Sequence, residues 1–359
     1  MKILKMLATA ICMGLCCFPA FAQNIPQVQM PDTQAHYLQS DIMDYNYGIY
    51  VTLPDDYAEE SNRTYPTVYI IDGHQYYVFT GQPLGSLYYG NMVKEHISIS
   101  VAYTPEGGNN RSRDFNPDLR GPDFVRFFKE ELIPWVEDNF RTTGMEERTL
   151  FGHSAGGRFV LYTLMAATDT FENYIASAPA TNHTILTLED VYATNQDDLP
   201  VSLFIASGED DNLTILTKMF EKKLLDRKYP GLKMDSIYTK NGNHGTIQPT
   251  AYIEGLRMVL DPAVDLTAEE FMRVAGTYSD GENTYRLSYE GGNYLRFEGV
   301  PLRDIGVPIT EWRKIYAASE TEFFAKGRPD DFLFGGDLDK PAETFSFELD
   351  DRMITARRQ

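Results

Sequence analysis

Short apolar runs, separated by longer stretches with a helical repeat, occupy residues 33–260. Runs rich in β-branched and aromatic residues predict strands that are buried on both faces of a sheet. The predicted strands are DYNYGIYVTLP (44–54), TVYIIDG (67–73), HISISVAY (96–103), RTLFGH (148–153), YIASA (174–178), VSLFIASG (201–208) and MDSIYTK (234–240).

The intervening stretches place apolar residues three or four positions apart, which predicts helices. One helix is predicted over 123–140, with a kink at Pro134. The others are RFVLYTLMAA (158–167), LTILTKMFEKKLLDRKY (213–229) and TAYIEGLRMVL (250–260). Strands that alternate with helices predict the α/β class, with a mostly parallel sheet and helices on both of its faces.

The pattern changes near residue 265. Beyond Phe271 apolar residues recur at every second position, as at Tyr285 and Leu287, and glycine-containing turns separate the runs. A period of two with such turns predicts a small antiparallel β domain. We therefore predict a leader at 1–22, an α/β domain at 23–264 and a β domain at 265–359.

The first 22 residues have the composition of an export signal. Lys2 and Lys5 precede a short apolar run, and AFA at 20–22 matches a cleavage site, so we predict cleavage before Gln23. The run is too short to cross a bilayer comfortably, and no later stretch of about 20 apolar residues exists. We expect a periplasmic or secreted protein, and a retained N-terminal anchor is the alternative.

Charge and cysteine content exclude several classes of function. The net charge is −20, or −22 without the lysines of the leader, which disfavours nucleic acids and anionic membranes as partners. All three cysteines, Cys12, Cys16 and Cys17, lie in the leader, so the mature chain has none for a disulfide, a nucleophile or a metal site. We expect no metal, no cofactor and no integral membrane association, and the sequence leaves the oligomeric state open.

The stretch LFGHSAGGRF at 150–159 contains a Gly-x-Ser-x-Gly pattern centred on Ser154. The pattern alone is weak evidence, because glycine and serine are common. Here a predicted buried strand runs directly into it and a predicted helix follows, which is the context that a nucleophile elbow requires. Such a turn projects the hydroxyl at a helix N-terminus, where N–H groups stabilise developing negative charge. We predict that Ser154 is a nucleophile, and a purely structural turn is the alternative.

A serine nucleophile needs a base and an acid, which follow it in the order acid, histidine in this architecture. His244, in the glycine-rich loop TKNGNHGTIQ after the last predicted strand, fits the base. His183, in a predicted loop, precedes every acid that follows VSLFIASG. The candidate acids are Glu209, Asp210 and Asp211. We favour Asp211, which is furthest from the strand end, and keep Asp210 as the alternative.

The loops around this serine supply the remaining candidates. We predict that the backbone N–H groups of Ala155 and His74 form an oxyanion hole. The loop after TVYIIDG is aromatic, so Tyr76 and Tyr77 are predicted to stack on a planar part of the substrate, with burial under the loop as the alternative. Arg111 is predicted to offer a charge to an anionic or phenolic part of the substrate.

Together, LPDDY, YPTVYIIDG, EELIPWVEDNFR, GHSAGG, SGEDD and NGNHGT resemble the putative-esterase branch of the α/β-hydrolases. That branch includes esterase D-like enzymes, ferric-enterobactin esterases, feruloyl esterases and mycolyl transferases. The resemblance covers residues 33–260 and implies an α/β-hydrolase fold that hydrolyses esters. It also implies that NNRSRDFNP, with Arg111, Arg113 and Asp114, borders the active site, although Arg113 and Asp114 fit a structural pair equally well.

Two further features qualify this resemblance. Many members have a Ser-Pro-Ser segment followed by tryptophan where this chain has SAPATNHT, so the substrate of any one member does not transfer. Residues 266–359 resemble the small lipocalin-like β domains found behind bacterial hydrolases.

The sequence therefore predicts an exported serine carboxylic-ester hydrolase with a Ser154–Asp211–His244 triad. The predicted substrate is a small or aromatic acyl ester, small-molecule or glycan-linked, of the siderophore, hydroxycinnamoyl or acetyl type. The alternatives are an acyltransferase, which differs only in the nucleophile that resolves the acyl-enzyme, a serine peptidase, for which no propeller or cap is found, and a non-catalytic binding protein, which would not need all three residues.

Overall fold

The structure is a computed structural model that describes residues 30–79, 82–299, 312–327, 331–337, 339–349 and 352–359. The predicted leader and its cleavage site lie outside these residues. The chain from Pro31 to Gln359 contains an eight-stranded sheet and a closed eight-stranded barrel. Within the described part of the chain, no helix combines the length and the apolar character needed to cross a membrane.

The eight-stranded sheet contains every strand predicted between residues 44 and 240. Its members are β1 (Thr33–Ser40), β2 (Tyr45–Thr52), β3 (Thr67–Ile71), β4 (Ile97–Ala102), β5 (Thr149–His153), β6 (Asn173–Ser177), β7 (Ser202–Gly208) and β8 (Lys233–Thr239). Their order is β1-β2-β4-β3-β5-β6-β7-β8. Strands β3 to β8 run parallel to one another. Strand β2 is antiparallel to both of its neighbours, β1 and β4. The carboxyl ends of β3, β5, β7 and β8 therefore meet at one edge, where ligands bind in such sheets. The mostly polar β1 is the strand that the apolar pattern does not predict.

The helices follow the strands as the pattern predicts, with several additions. They are α1 (Gly73–Tyr76), α2 (Gln82–Tyr89), α3 (Arg111–Asp114), α4 (Gly121–Phe127), α5 (Ile133–Asn139), α6 (Ala155–Ala166), α7 (His183–Asn195), α8 (Thr214–Arg227), α9 (Gln248–Val259) and α10 (Ala268–Val274). The predicted helix over 123–140 is divided by a π-helical turn, Phe128–Leu132. Pro134 is the second residue after that turn, and its missing N–H and its ring disrupt regular α-helical bonding there.

Helix α7 corrects the placement of His183, which begins this helix and does not lie in a loop. The side chain of Asn182 caps the helix by accepting a hydrogen bond from the backbone N–H of Ile185 at 3.2 Å. Thr184 and Ile185 are β-branched, and such residues lower intrinsic helix propensity, which explains why the pattern is weak there.

The sheet is covered on both faces, as its continuous apolar strands predict. Successive residues of β3 alternate between two cores: Tyr69 and Ile71 pack in one apolar cluster, whereas Val68 and Ile70 pack in the other. The same alternation places Leu150 and Phe151 of β5 on opposite faces. Both faces of the central strands are therefore inaccessible, and loops at the strand ends remain for a functional site.

The C-terminal strands close into an antiparallel barrel, which confirms the predicted β region. Its strands are β9 (Gly276–Ser279), β10 (Thr284–Ser288), β11 (Leu295–Glu298), β12 (Trp312–Ala317), β13 (Glu322–Phe324), β14 (Asp331–Gly335), β15 (Thr344–Leu349) and β16 (Arg352–Arg358). Leu287 pairs with Phe297 across the predicted turn. Aromatic rings pack in the interior, where Phe332 and Phe345 stack at 5.9 Å.

Candidate active site

Ser154 lies in a sharp turn between β5 and α6. Its backbone has φ 60° and ψ −117°, a region that non-glycine residues rarely occupy and that costs about 1–3 kcal/mol. A Cβ on Gly152 would lie 2.5 Å from the carbonyl oxygen of Gly156, so glycine is required for this close approach. The N–H of Ser154 donates to Ser177 O, and its carbonyl accepts from Ala180 N–H, both at 2.9 Å. The surrounding backbone thus holds the strained turn, as in a nucleophile elbow.

A buried carboxylate orients the ring of His244. Asp211 Oδ2 lies 2.8 Å from His244 Nδ1, and the Asp211 side chain is only 4% exposed against 38% for the imidazole. Asp211 Oδ1 accepts a second hydrogen bond from the backbone N–H of Leu213. The neighbouring side chains of Glu209 and Asp210 are exposed. An Nδ1–H donor to a carboxylate leaves His244 Nε2 as the nitrogen that can accept a proton.

His153 links the serine turn to His244. It directly precedes Ser154, and its ring centroid lies 4.8 Å from that of His244. Burial, aided by the nearby His244 and Arg111, lowers the pKa of His153 to about 4. His153 is therefore neutral at neutral pH. Within the described residues no hydrogen bond joins Ser154 Oγ to His244, and such bonds often form fully only when substrate is bound.

The loop after β3 carries a buried ion pair that the sequence did not reveal. Asp72 is fully buried with φ 56°, and Arg111 donates to its carboxylate from Nε at 3.0 Å and from Nη2 at 2.8 Å. The next residue, Gly73, is pressed against β4, where a Cβ would lie 2.7 Å from the carbonyl carbon of Ser100. The positive charge of Arg111 is thus compensated within the protein.

The two predicted oxyanion donors lie at the starts of helices. Ala155 is the first residue of α6 and His74 is the second of α1, so neither N–H has an acceptor inside its helix. The two starts are close together, because a Cβ on Gly156 would lie 3.7 Å from Asp72 Oδ2. His74 Nδ1 is buried without a hydrogen-bond partner among the described residues.

The two predicted aromatic contacts have different surroundings. Tyr76 is 4% exposed, and its ring packs edge-on against that of His153 with the ring centroids 5.9 Å apart. It therefore packs under the residue that precedes Ser154. Burial raises its pKa to about 12. Tyr77 is half-buried and packs edge-on against Tyr50 at 5.3 Å. The alternative of burial under the loop therefore describes Tyr76 better than Tyr77.

Arg113 and Asp114 form a pair beneath the site. Asp114 is fully buried and accepts hydrogen bonds from Arg113 Nε at 2.7 Å, from Tyr47 Oη at 3.0 Å and from Tyr103 Oη at 3.1 Å. The ring of Tyr103 lies 6.1 Å from that of His74. This network holds the loop that carries Arg111 in place. It gives Arg113 and Asp114 the structural role that the sequence left open for them.

Three residues of the site were missed by sequence reasoning: Asp72, His153 and Arg158. Asp72 carried a signal, since an acid between a buried strand and a glycine lies at the strand end where ligands bind. Arg158 lies one helical turn after Ser154 and, within the described residues, makes no recorded side-chain hydrogen bond or ion pair. The sequence carries no signal for this, because the groups that surround the Arg158 side chain are set by tertiary packing. Among the residues that the structure describes, no cluster of three or more His, Cys, Asp or Glu side chains is placed to hold a metal ion.

A serine at a strained strand-to-helix turn, on a mostly parallel sheet covered by helices, defines an α/β-hydrolase. Residues 40–256 match the family model described as "Putative esterase". Because this match covers more than half of the chain, the protein belongs to the putative esterase family, and it is a carboxylic ester hydrolase. The match ends before the first barrel strand.

Known proteins resemble the chain over much of this region. It is 24% identical over 213 residues to the ferri-bacillibactin esterase BesA of Bacillus subtilis, which covers 56% of this chain and 70% of that protein. It is 26% identical over 172 residues to a siderophore triacetylfusarinine C esterase of Aspergillus fumigatus, covering 43% and 57%. In fold it resembles the crystal structure of an IroE-like serine hydrolase from Shewanella oneidensis, with a TM-score of 0.59 and 22% identity over 67% of this chain and 84% of that one.

Proposed function

We propose that the protein is an exported serine esterase in which Ser154, His244 and Asp211 form a catalytic triad. The observation that carries this proposal is the hydrogen bond from His244 to the buried Asp211, with the His244 ring packed against His153 beside the strained Ser154. Chain order, burial and the tautomer of His244 all agree with the roles of nucleophile, base and orienting acid.

In this mechanism Ser154 Oγ attacks the ester carbonyl while His244 Nε2 takes its proton. The same proton passes to the leaving alcohol as the acyl-enzyme forms. Asp211 holds the imidazole and stabilises its protonated form. The N–H groups of Ala155 and His74 donate to the oxyanion. A water molecule, deprotonated by His244, then releases the acid and regenerates Ser154.

The substrate that we propose is a small or aromatic acyl ester of the siderophore, hydroxycinnamoyl or acetyl type. The named siderophore esterases among the relatives support this class, and the half-buried Tyr77, three residues after His74, offers a ring in the loop after β3. Rates on acetyl, butyryl, feruloyl and palmitoyl esters test the proposal. A feruloyl preference that Tyr77→Ala removes would support it, whereas fastest turnover of the palmitoyl ester would contradict it.

Labelling with a fluorophosphonate probe tests the nucleophile. The unmodified protein should be labelled and should hydrolyse 4-nitrophenyl acetate. Ser154→Ala should fold normally, take no label and lose at least about a thousandfold in turnover. Ser346→Ala, which changes a half-buried barrel serine, is the matched control and should behave like the unmodified protein. Labelling or hydrolysis retained in Ser154→Ala would refute the assignment.

Export is tested separately by sequencing the N-terminus of the protein recovered outside the cytoplasm. We expect the mature chain to begin at Gln23. A chain that still begins at Met1 would show that the leader is retained as an anchor or is not processed.

A further inference from the structure

Arg158, one helical turn after Ser154, has no carboxylate partner among the residues that the structure describes. Its side chain is half-buried, and its Nε–H is buried with no acceptor among the described residues. Buried N–H groups nearly always have acceptors, and those of a charged group most of all. Because the side chain as a whole is only half-buried, the guanidinium is available to an acceptor that arrives with a ligand.

The position of Arg158 directs it toward the site. Its backbone N–H donates to the carbonyl of Ser154 at 2.9 Å, so the two residues lie on the same face of the first turn of α6. Side chains on a helix tilt toward its N-terminus. The guanidinium of Arg158 is therefore carried back toward the level of Ser154.

In the described part of the chain, the charged groups near Arg158 form no ion pair with it. Asp118, on the loop before α4, is exposed, lies beyond ion-pair distance and accepts a hydrogen bond from Thr184 at 3.4 Å. Arg111 is the other nearby charge, and its own carboxylate partner is Asp72. Burial lowers the pKa of Arg158, Asp118 opposes this effect and Arg111 adds to it.

We propose that Arg158 binds an anionic oxygen of the ester substrate and makes the enzyme selective for negatively charged esters. The proposal rests on the esterase function proposed above. The chain carries a net charge of −20, so a local cation is needed to hold an anionic substrate against the field of the whole protein. Arg111, whose Nε and Nη2 are held by Asp72, is less free to serve. Arg158 is thus the specificity-determining residue of the pair.

The test compares neutral and anionic esters of similar size. 4-Nitrophenyl butyrate is the neutral probe, and 4-nitrophenyl hemisuccinate carries a carboxylate on the acyl side. The acetyl ester of 3-hydroxybenzoate, compared with that of 3-methylphenol, places the carboxylate in the leaving group. Arg158→Gln should lower kcat/KM for at least one anionic ester by about 10- to 100-fold, mainly through KM, because charge-assisted hydrogen bonds are lost. Rates on the neutral esters should change less than about threefold.

Two controls separate recognition from structure. Arg158→Lys keeps the charge and should restore part of the anionic activity. Arg257→Gln makes the same change on α9, where the arginine pairs with Glu254, and should affect neither class of ester. If Arg158→Gln does not fold, Arg158→Lys carries the test: it loses the planar, bidentate geometry of the guanidinium and should lower activity on an anionic ester while leaving the neutral esters unchanged.

The outcomes distinguish this inference from the esterase proposal. An equal loss on neutral and anionic esters, or no loss on either, would overturn the role of Arg158 while leaving the esterase function standing. An unmodified protein that hydrolyses none of the four esters would overturn the proposed function itself.

Discussion

Replacing Asp211 with asparagine is the most discriminating single test of the site, because Asp210 beside it provides a matched control. The change keeps the shape of the side chain and removes its charge. Asp211 Oδ2 lies 2.8 Å from His244 Nδ1, and its side chain is 4% exposed. In the proposed mechanism the imidazole becomes positively charged, so the lost interaction is that between two unit charges at this separation.

The magnitude follows from that distance. At an effective dielectric constant of about 20, two charges 2.8 Å apart attract by about 6 kcal/mol. The imidazole is 38% exposed, and water screening reduces the value toward about 4 kcal/mol. At about 1.4 kcal/mol per factor of ten, Asp211→Asn should lower kcat by about 10³- to 10⁴-fold. Asp210→Asn, whose side chain is exposed, should stay within about threefold.

The assay measures hydrolysis of 4-nitrophenyl acetate together with thermal unfolding of both variants, so that loss of activity is read only from folded protein. A loss in Asp210→Asn that equals or exceeds the loss in Asp211→Asn would refute the assignment and move the acid by one residue. A loss below tenfold in both variants would show that His244 does not depend on a carboxylate.

Three further predictions concern the scaffold. Truncation after residue 264 should leave a folded esterase, because every proposed catalytic residue precedes it. The barrel contacts the α/β region, since the N–H of Gly327 donates to the carbonyl of Gly90 at 2.6 Å. Loss of 4-nitrophenyl acetate hydrolysis in a folded truncation would therefore show that the barrel completes the site. His96 and His153 are buried with pKa values lowered to about 4. The unfolded chain therefore binds more protons between about pH 4 and 6.5, and the urea midpoint should fall as the pH falls through that window, less steeply in His96→Gln; a midpoint that stays constant or rises would contradict this. Gly157→Ala should destabilise by about 1–3 kcal/mol, because its Cβ would lie 2.8 Å from Ser177 O, whereas Gly85→Ala, with open space around its Cβ, should not; equal urea midpoints for the two variants would refute the packing argument.

The sequence was most informative where one physical requirement acts along a continuous segment. The parallel strands are buried on both faces, so their apolar runs predict them directly, and parallel topology brings their carboxyl ends together. That topology is why Asp211 and His244, 33 residues apart, were expected to be neighbours, as their hydrogen bond places them.

Prediction fails where partners come from separate elements. Nothing local to Asp72 or Arg111 says that they pair, since the contact depends on how the loop after β4 packs against the loop after β3. The same holds for Arg158, whose lack of a partner among the described residues is a property of the packed structure. Helix α7 was missed for a different reason, because capping by Asn182 and tertiary packing outweigh the weak propensity of its β-branched residues.

The strained backbone at Ser154 implies a trade-off between the proposed activity and thermal stability at a single position. Its φ of 60° with ψ −117° costs about 1–3 kcal/mol. A glycine would relieve this strain, but the greater conformational freedom of glycine in the unfolded chain would offset about 0.5–1 kcal/mol of the gain. Ser154→Gly should therefore melt at a higher temperature than Ser154→Ala, which keeps the strain, and than the unmodified protein. Selection for thermal stability alone would thus favour glycine over the proposed nucleophile, so a serine at this position indicates that stability has been given up for catalysis.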